Sequence, residues 1–156
     1  MLRKKSGAAA DKKSDRELGA GVIGSYVHDG AVGAMVVLSC ETDFVAKNPE
    51  FPALAREIAM QVAATDPLYL TDAEIAEDKK AAAMEIFTKE VEGKPEEMKA
   101  KILEGKLASY FQSSVLMNQP YIKDDSKSVR ELVAEASQKF GERVEITKFA
   151  RFSTRG

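Results

Sequence analysis

The run Ala34-Met35-Val36-Val37-Leu38-Ser39-Cys40 constrains this chain most, because it follows an Asp29-Gly30 pair and a shorter apolar run over residues 22–26. Asp and Gly both tolerate positive φ, so the pair reads as a tight turn and residues 21–43 as a β-hairpin. Side chains alternate along a strand, so Val36, Leu38 and Cys40 point one way and Met35 and Val37 the other. Both faces are therefore apolar. Such a strand is covered on both sides, or its second face meets another chain.

Beyond the hairpin the chain reads as mostly helical. Asn48-Pro49-Glu50 opens a helix, with Asn48 as cap, Pro49 where no amide proton is needed and an acid in the first turn. Phe51, Leu54, Ile58 and Val62 then recur at helical spacing until Asp66-Pro67. Thr71-Asp72-Ala73-Glu74 reads as a capping box that starts a second helix, with Ile75, Ala82, Ile86 and Phe87 on its inner side. Gly93-Lys94-Pro95 breaks it. A third helix is expected over residues 95–116, burying Met98, Ile102, Leu103, Leu107, Tyr110 and Phe111, so the second and third form an antiparallel pair. Residues 121–123 read as an extended link. Ser128-Val129-Arg130-Glu131 is another capping box, with Val129, Leu132, Val133, Ala136 and Phe140 inside and Gly141 as the stop. A last strand over residues 144–152 puts Val144, Ile146 and Phe152 on one side and Phe149 on the other, unless a bulge near Thr147 re-aims them. The expected class is α+β: a small three-stranded antiparallel sheet, closed by the C-terminal strand and packed with about four helices.

At 156 residues one compact core is expected, burying roughly 70% of the unfolded surface. Apolar residues at 44% and charged residues at 31% exclude wholesale disorder. The net charge of −2 hides a basic N-terminal segment over residues 1–20, where Arg3, Lys4, Lys5, Lys12, Lys13 and Arg16 lie among Ala and Ser. That segment is expected to be solvated and flexible, and a ribosome- or nucleic-acid-binding module built on it, with Lys148, Arg151 and Arg155, is the alternative function. No direct nucleic-acid contact is otherwise expected. A lone cysteine, Cys40, and the absence of an apolar run near 20 residues point to a reducing cytoplasmic setting and no membrane span.

The chemical inventory is thin. His28, the single histidine, and Cys40 sit on neighbouring expected strands, so a thiolate pair of a cysteine hydrolase is conceivable, although Cys40 reads better as a small buried hydrophobe. Glu41, Asp43 and Asp29 lack the oxygen spacing of a calcium loop, and no phosphate loop, dinucleotide fingerprint or nucleophile elbow is present. No catalytic residue, metal or cofactor is expected, and the chain is not expected to be an enzyme. The feature that stands out is Asp43-Phe44, between a dense strand and the Asn48-Pro49 cap. Phe44 is either an anchor for a partner's pocket or a core residue folded under the next helix.

The run from Cys40 to Asn48, Cys-Glu-Thr-Asp-Phe-Val-Ala-Lys-Asn, resembles the signature of the elongation factor Ts family. The preceding Gly24-Ser25-Tyr26-Val27-His28, the later Gln119-Pro120-Tyr121-Ile122-Lys123-Asp124 and the ending Phe149-Ala150-Arg151-Phe152 are similar to other segments of that family, so the likeness spans residues 21–152. It implies a guanine-nucleotide exchange factor for elongation factor Tu, with residues 21–156 as the core and dimerisation domain. By resemblance, Thr42, Asp43, Phe44 and Val45 would bind the partner. Phe44 would wedge into an apolar slot and Asp43 engage a nearby helix. Val32-Gly33 would allow close backbone approach, and the last helix and strand would dock a second Tu domain. The sequence departs from the common form in three respects. Members usually begin with a small ubiquitin-associated-like helical domain, of which Met1-Leu2-Arg3-Lys4-Lys5 resembles only the exit. Larger members hold two copies of the sheet-bearing core, so a homodimer is expected to restore the pair. Gln61 stands where some members carry a Tu-contacting histidine.

Overall fold

The computed structural model describes residues 17–155, so the basic cluster from Arg3 to Arg16 lies outside the described residues. In place of one core, the described residues pack as two compact units, one running up to Asp66 and resuming at Pro120, the other covering residues 67–119. The class is α+β, as expected.

In the first unit β1 (Ala20–His28) and β2 (Val32–Cys40) form the hairpin, with Asp29 and Gly30 both at positive φ, 52° and 69°. Ala31 N–H closes the turn on His28 C=O at 2.9 Å. A single-turn helix, α1 (Asp43–Ala46), leads into α2 (Glu50–Thr65). Pro49 already has helical angles, and the Asn48 carboxamide accepts from Glu50 N–H at 3.0 Å, so the Asn-Pro start works as its chemistry demands.

After the second unit the chain returns as a two-stranded hairpin, β3 (Pro120–Tyr121) and β4 (Asp124–Ser128), where a plain extended link was expected. Helix α5 (Val129–Phe140) carries both halves of the Ser128–Glu131 capping box and ends on Gly141 at φ 71°. Strand β5 (Glu145–Ser153) completes an antiparallel sheet in the order β1-β2-β5. Its register slips where Val37 pairs with Lys148 and Leu38 with Ile146, leaving Thr147 as a bulge. The bulge turns Phe149 to the inner face opposite Val36 and sends Phe152 outward, 74% exposed.

The inner face is the core: Ala34, Val36, Leu38 and Cys40 of β2 pack with Phe51, Ala55, Ile58, Ala59 and Val62 of α2, all buried. Gly24 lets α2 lie against β1, since a Cβ there would come within 2.3 Å of the Ala55 carbonyl carbon. Among the described residues the outer face is uncovered: Ile23, Val27, Met35 and Phe152 are 48–74% exposed on it, so these residues do not bury the two-faced strand on both sides.

The second unit holds α3 (Glu77–Glu90) and α4 (Glu96–Gln112), the antiparallel pair. Thr71 makes no side-chain cap, and residues 72–74 form only a 3-10 turn, because the Glu74 carboxylate is spent on Leu70 N–H at 2.9 Å and buried Ile75 turns extended. The inner side of α3 is Ala83, with Val91 just beyond it, whereas Ala82 and Ile86 are exposed. Helix α4 stops at Gln112, before Leu116, and buries none of its residues fully: Met98 and Tyr110 are half-exposed. A short-range aromatic cluster of Phe87, Tyr110 and Phe111 joins the two helices, with centroids 4.9–5.6 Å apart.

Candidate partner-binding site

Two buried residues decide where Phe44 goes. In α1 Val45 and Ala46 are packed into the core, at 4% and 9% exposure, and one helical turn cannot bury the opposite side as well. Asp43 and Phe44 are left outside, with Phe44 86% exposed. The choice between core and surface that the sequence left open thus falls to the surface. Val45, one of the expected contact residues, faces inward instead and serves as the plug that fixes the turn.

The mounting is stiff. Thr42 has extended angles and caps α1, its hydroxyl accepting from Val45 N–H at 3.5 Å. Lys47 N–H bonds Asp43 C=O at 2.9 Å, Asn48 N–H bonds Val45 C=O at 3.0 Å, and Phe51 N–H bonds Asn48 C=O at 2.9 Å, so hydrogen bonding is continuous into α2. From the far side, the Glu142 carboxylate accepts from Glu41 N–H at 3.1 Å, Thr42 N–H at 3.0 Å and the Thr42 hydroxyl at 2.6 Å. The Glu41 carboxylate accepts from Arg143 N–H in return. Glu142 does not stand out in the sequence and Glu41 gives no sign of this role, because the pairing joins residues 100 to 102 positions apart and no local pattern encodes it.

The other expected contact residues lie elsewhere. Val32 and Gly33 open β2 and Thr42 follows its end, which sets them roughly 30 Å apart at the usual rise per residue. Gly33 pairs with Val27 and Phe152, on the exposed apolar face. Gln61 is fully buried in α2 and gives its carboxamide to the β3–β4 hairpin, donating to Pro120 C=O at 3.1 Å and accepting from Ile122 N–H at 2.8 Å. A direct partner contact through Gln61 is thereby corrected to a structural role.

Cys40 and His28 do not form a catalytic pair. Cys40 lies opposite Ala20 and His28 opposite Val32, at the two ends of the hairpin. Burial, and next the charge of Glu142, push the Cys40 thiol up from its ordinary value, and its S–H donates to Thr42 C=O at 3.3 Å. His28 instead meets Tyr26 OH at 2.9 Å and the Asp29 carboxylate at 3.4 Å at the exposed turn. Among the described residues no group of three or more His, Cys, Asp or Glu side chains is placed to hold a metal ion.

Comparison with known proteins agrees with the signature in the anchor loop. The sequence profile of the family described as elongation factor TS matches residues 12–155. An elongation factor Ts of Thermodesulfovibrio yellowstonii is 42% identical over 153 residues, covering 97% of this chain and 77% of that protein. One from Prochlorococcus marinus strain MIT 9215 is 46% identical over 156 residues, covering 97% and 72%. One from Myxococcus xanthus is 42% identical over 155 residues, covering 97% and 70%.

Proposed function

Because this chain belongs to the elongation factor Ts family and is thus a translation elongation factor, we propose that it is the guanine-nucleotide exchange factor of elongation factor Tu. The observation that carries the proposal is Phe44, 86% exposed on a turn fixed by buried Val45 and Ala46 and by the bonds that continue into α2. An exposed aromatic on a rigid mount is what a partner's apolar slot requires. Phe44 enters the slot, and Asp43 beside it engages a helix of the nucleotide domain. Nucleotide phosphates are held by backbone N–H groups and a magnesium ion, whose contacts depend on close geometry, so a shift of about an ångström weakens them and GDP leaves. Linkage makes the antagonism mutual: nucleotide weakens Ts binding by the factor by which Ts weakens nucleotide binding.

Burying the Phe44 ring removes roughly 150 Å² of apolar surface from water, about 4 kcal/mol as an upper value, or several hundred-fold in affinity or rate. The test is release of fluorescent GDP from elongation factor Tu in a stopped flow. The chain is expected to accelerate release, and Phe44→Ala to lose most of the acceleration with an unchanged thermal melt. A Phe44→Ala chain that exchanges like the parent refutes the anchor.

The exposed sheet face supports a homodimer as the second part of the proposal. Ile23, Val27, Met35 and Phe152 make a patch that a two-fold axis through the sheet would cover with its own copy. Light scattering at micromolar concentration checks it: a dimer is expected, and Ile23→Asp with Phe152→Asp is expected to give a monomer. A parent chain that is monomeric at that concentration removes this part. The proposed setting is the cytoplasm, where translation occurs. No described helix is long and apolar enough to cross a membrane.

A further inference from the structure

We infer that Glu142, in the turn between α5 and β5, is a positioning residue for exchange: it aims the Asp43–Phe44 anchor without touching the partner. This rests on the exchange proposal above. The backbone pairing of β2 with β5 ends at Ser39 opposite Glu145. Among the described residues the strand pairing goes no further, and the N–H groups of Glu41 and Thr42 turn to a side chain. The Glu142 carboxylate takes both, at 3.1 and 3.0 Å, while the Glu41 carboxylate takes Arg143 N–H in the other direction. Two side chains therefore continue the ladder past the end of its backbone, up to the residue that caps α1.

Thr42 links this clamp to the anchor. Its hydroxyl donates its one proton to Glu142 at 2.6 Å, and its oxygen accepts from Val45 N–H. A hydroxyl has one proton and two lone pairs, so a carboxylate on one side fixes the rotor with a lone pair turned to the helix. The turn that holds Glu142 is itself pinned, since Gly141 N–H bonds Ser137 C=O at 3.0 Å and Val144 N–H bonds the Ser137 hydroxyl at 3.0 Å. The attitude of Phe44 is thus set from α5 and β5, about a hundred residues along the chain.

The same bonds also staple the fold, so the test has to separate aim from stability. GDP release is followed across a range of Ts concentrations to obtain the maximal rate and the half-saturating concentration, at least 15 °C below each variant's melting point. Glu142→Ala is expected to lower the maximal rate by about ten- to a hundredfold, the loss typical of an ångström-scale misplacement. Glu142→Gln keeps an acceptor oxygen and is expected to recover an intermediate rate. It also serves as the test variant if the alanine form does not fold. Glu142→Ala combined with Thr42→Ala is expected to lose less than the product of the two single losses, because the two residues share the bond between the Thr42 hydroxyl and the Glu142 carboxylate. Added to Phe44→Ala it is expected to change nothing further, since an absent anchor cannot be mis-aimed.

Amide hydrogen exchange of Glu41 and Thr42 in the free chain, expected to lose protection in Glu142→Ala, reports the clamp without the partner. A folded Glu142→Ala chain with the parental maximal rate, in a series where Phe44→Ala is slow, overturns the positioning role and leaves the exchange proposal intact. Retained rates in both overturn the two together. Unchanged amide protection overturns the clamp whatever the exchange result.

Discussion

Replacing Gly24 by alanine tests the packing that supports the anchor. The added Cβ would lie 2.3 Å from the Ala55 carbonyl carbon, 2.4 Å from its oxygen and 2.6 Å from its Cβ, whereas ordinary contact starts at 3.4 Å. Two of the three clashes are with backbone, so no rotamer change relieves them, and α2 must withdraw from β1 by about 1 Å. The contacts at stake are those of Phe51, Ala55, Ile58, Ala59 and Val62, all buried on the inner side of α2. A gap of that size forfeits a quarter to a half of the dispersion energy across it, and overpacking of this kind costs 1–3 kcal/mol or more. We expect about 3 kcal/mol, which at roughly 3 °C per kcal/mol for a chain of this size lowers the melting point by about 10 °C. Circular dichroism melts read it directly. Gly105 is the control: it lies within α4 with nothing within 4 Å of a Cβ, so alanine there is expected to add about 0.5–1 kcal/mol and raise the melt by 2–3 °C. Adding Ala55→Gly to Gly24→Ala is expected to restore little, because the backbone clash remains. A Gly24→Ala chain melting within about 2 °C of the parent would refute the reasoning.

Two further outcomes are expected in the first unit. Gln61→Leu keeps the volume but strands the Pro120 carbonyl and the Ile122 amide. It is expected to cost about 2–4 kcal/mol in denaturant melts, with exchange per folded molecule unchanged; the reverse pattern would return Gln61 to the partner surface. Burial alone would raise the Glu57 carboxyl, but hydrogen bonds from Lys123 and Tyr121, aided by the charges of Lys123 and Arg56, outweigh it and hold it below the ordinary value. Its contribution is therefore present above the usual carboxylate range and lost as pH falls through the lowered folded value. Glu57→Gln is expected to flatten that acid limb of the stability curve, and an unaltered limb would contradict the assignment.

How much of the fold and the site was legible depended on the distance over which each feature is encoded. The Asp29-Gly30 turn, the Asn48-Pro49 start and the Ser128–Glu131 box are local chemistry and took the expected form. Thr71–Glu74 has the same spelling and did not, because Glu74 found Leu70 N–H and Ile75 turned extended at a buried position. Tertiary burial overrode a local signal there. In α4 the apolar stripe was visible, but which of its residues a neighbouring element covers was not, and Met98 and Tyr110 are half-exposed. Phe44 was undecidable from periodicity, since a single turn offers no repeat, and buried Val45 and Ala46 supply the answer. The clamp of Glu142 and the close packing at Gly24 had no local signal, as each acts on a distant segment.

The bulge at Thr147 ties the two faces of the sheet together. Strict alternation from buried Ile146 would carry Phe152 inward and turn Phe149 to the outside. One extra residue reverses this. Thr147 is held at the bulge by contact of its hydroxyl with that of Ser39 at 3.1 Å, so the inversion of facing occurs at the same stretch of β2 that ends the backbone ladder. Phe149 then completes the core beneath α2, and Phe152 joins Ile23, Val27 and Met35 on the open face. At its other end, past Ser39, the same strand passes to the glutamate clamp and the anchor turn. Strand β2 is therefore the common member of the core, the open face and the anchor. A change in its pairing with β5 would be felt at all three.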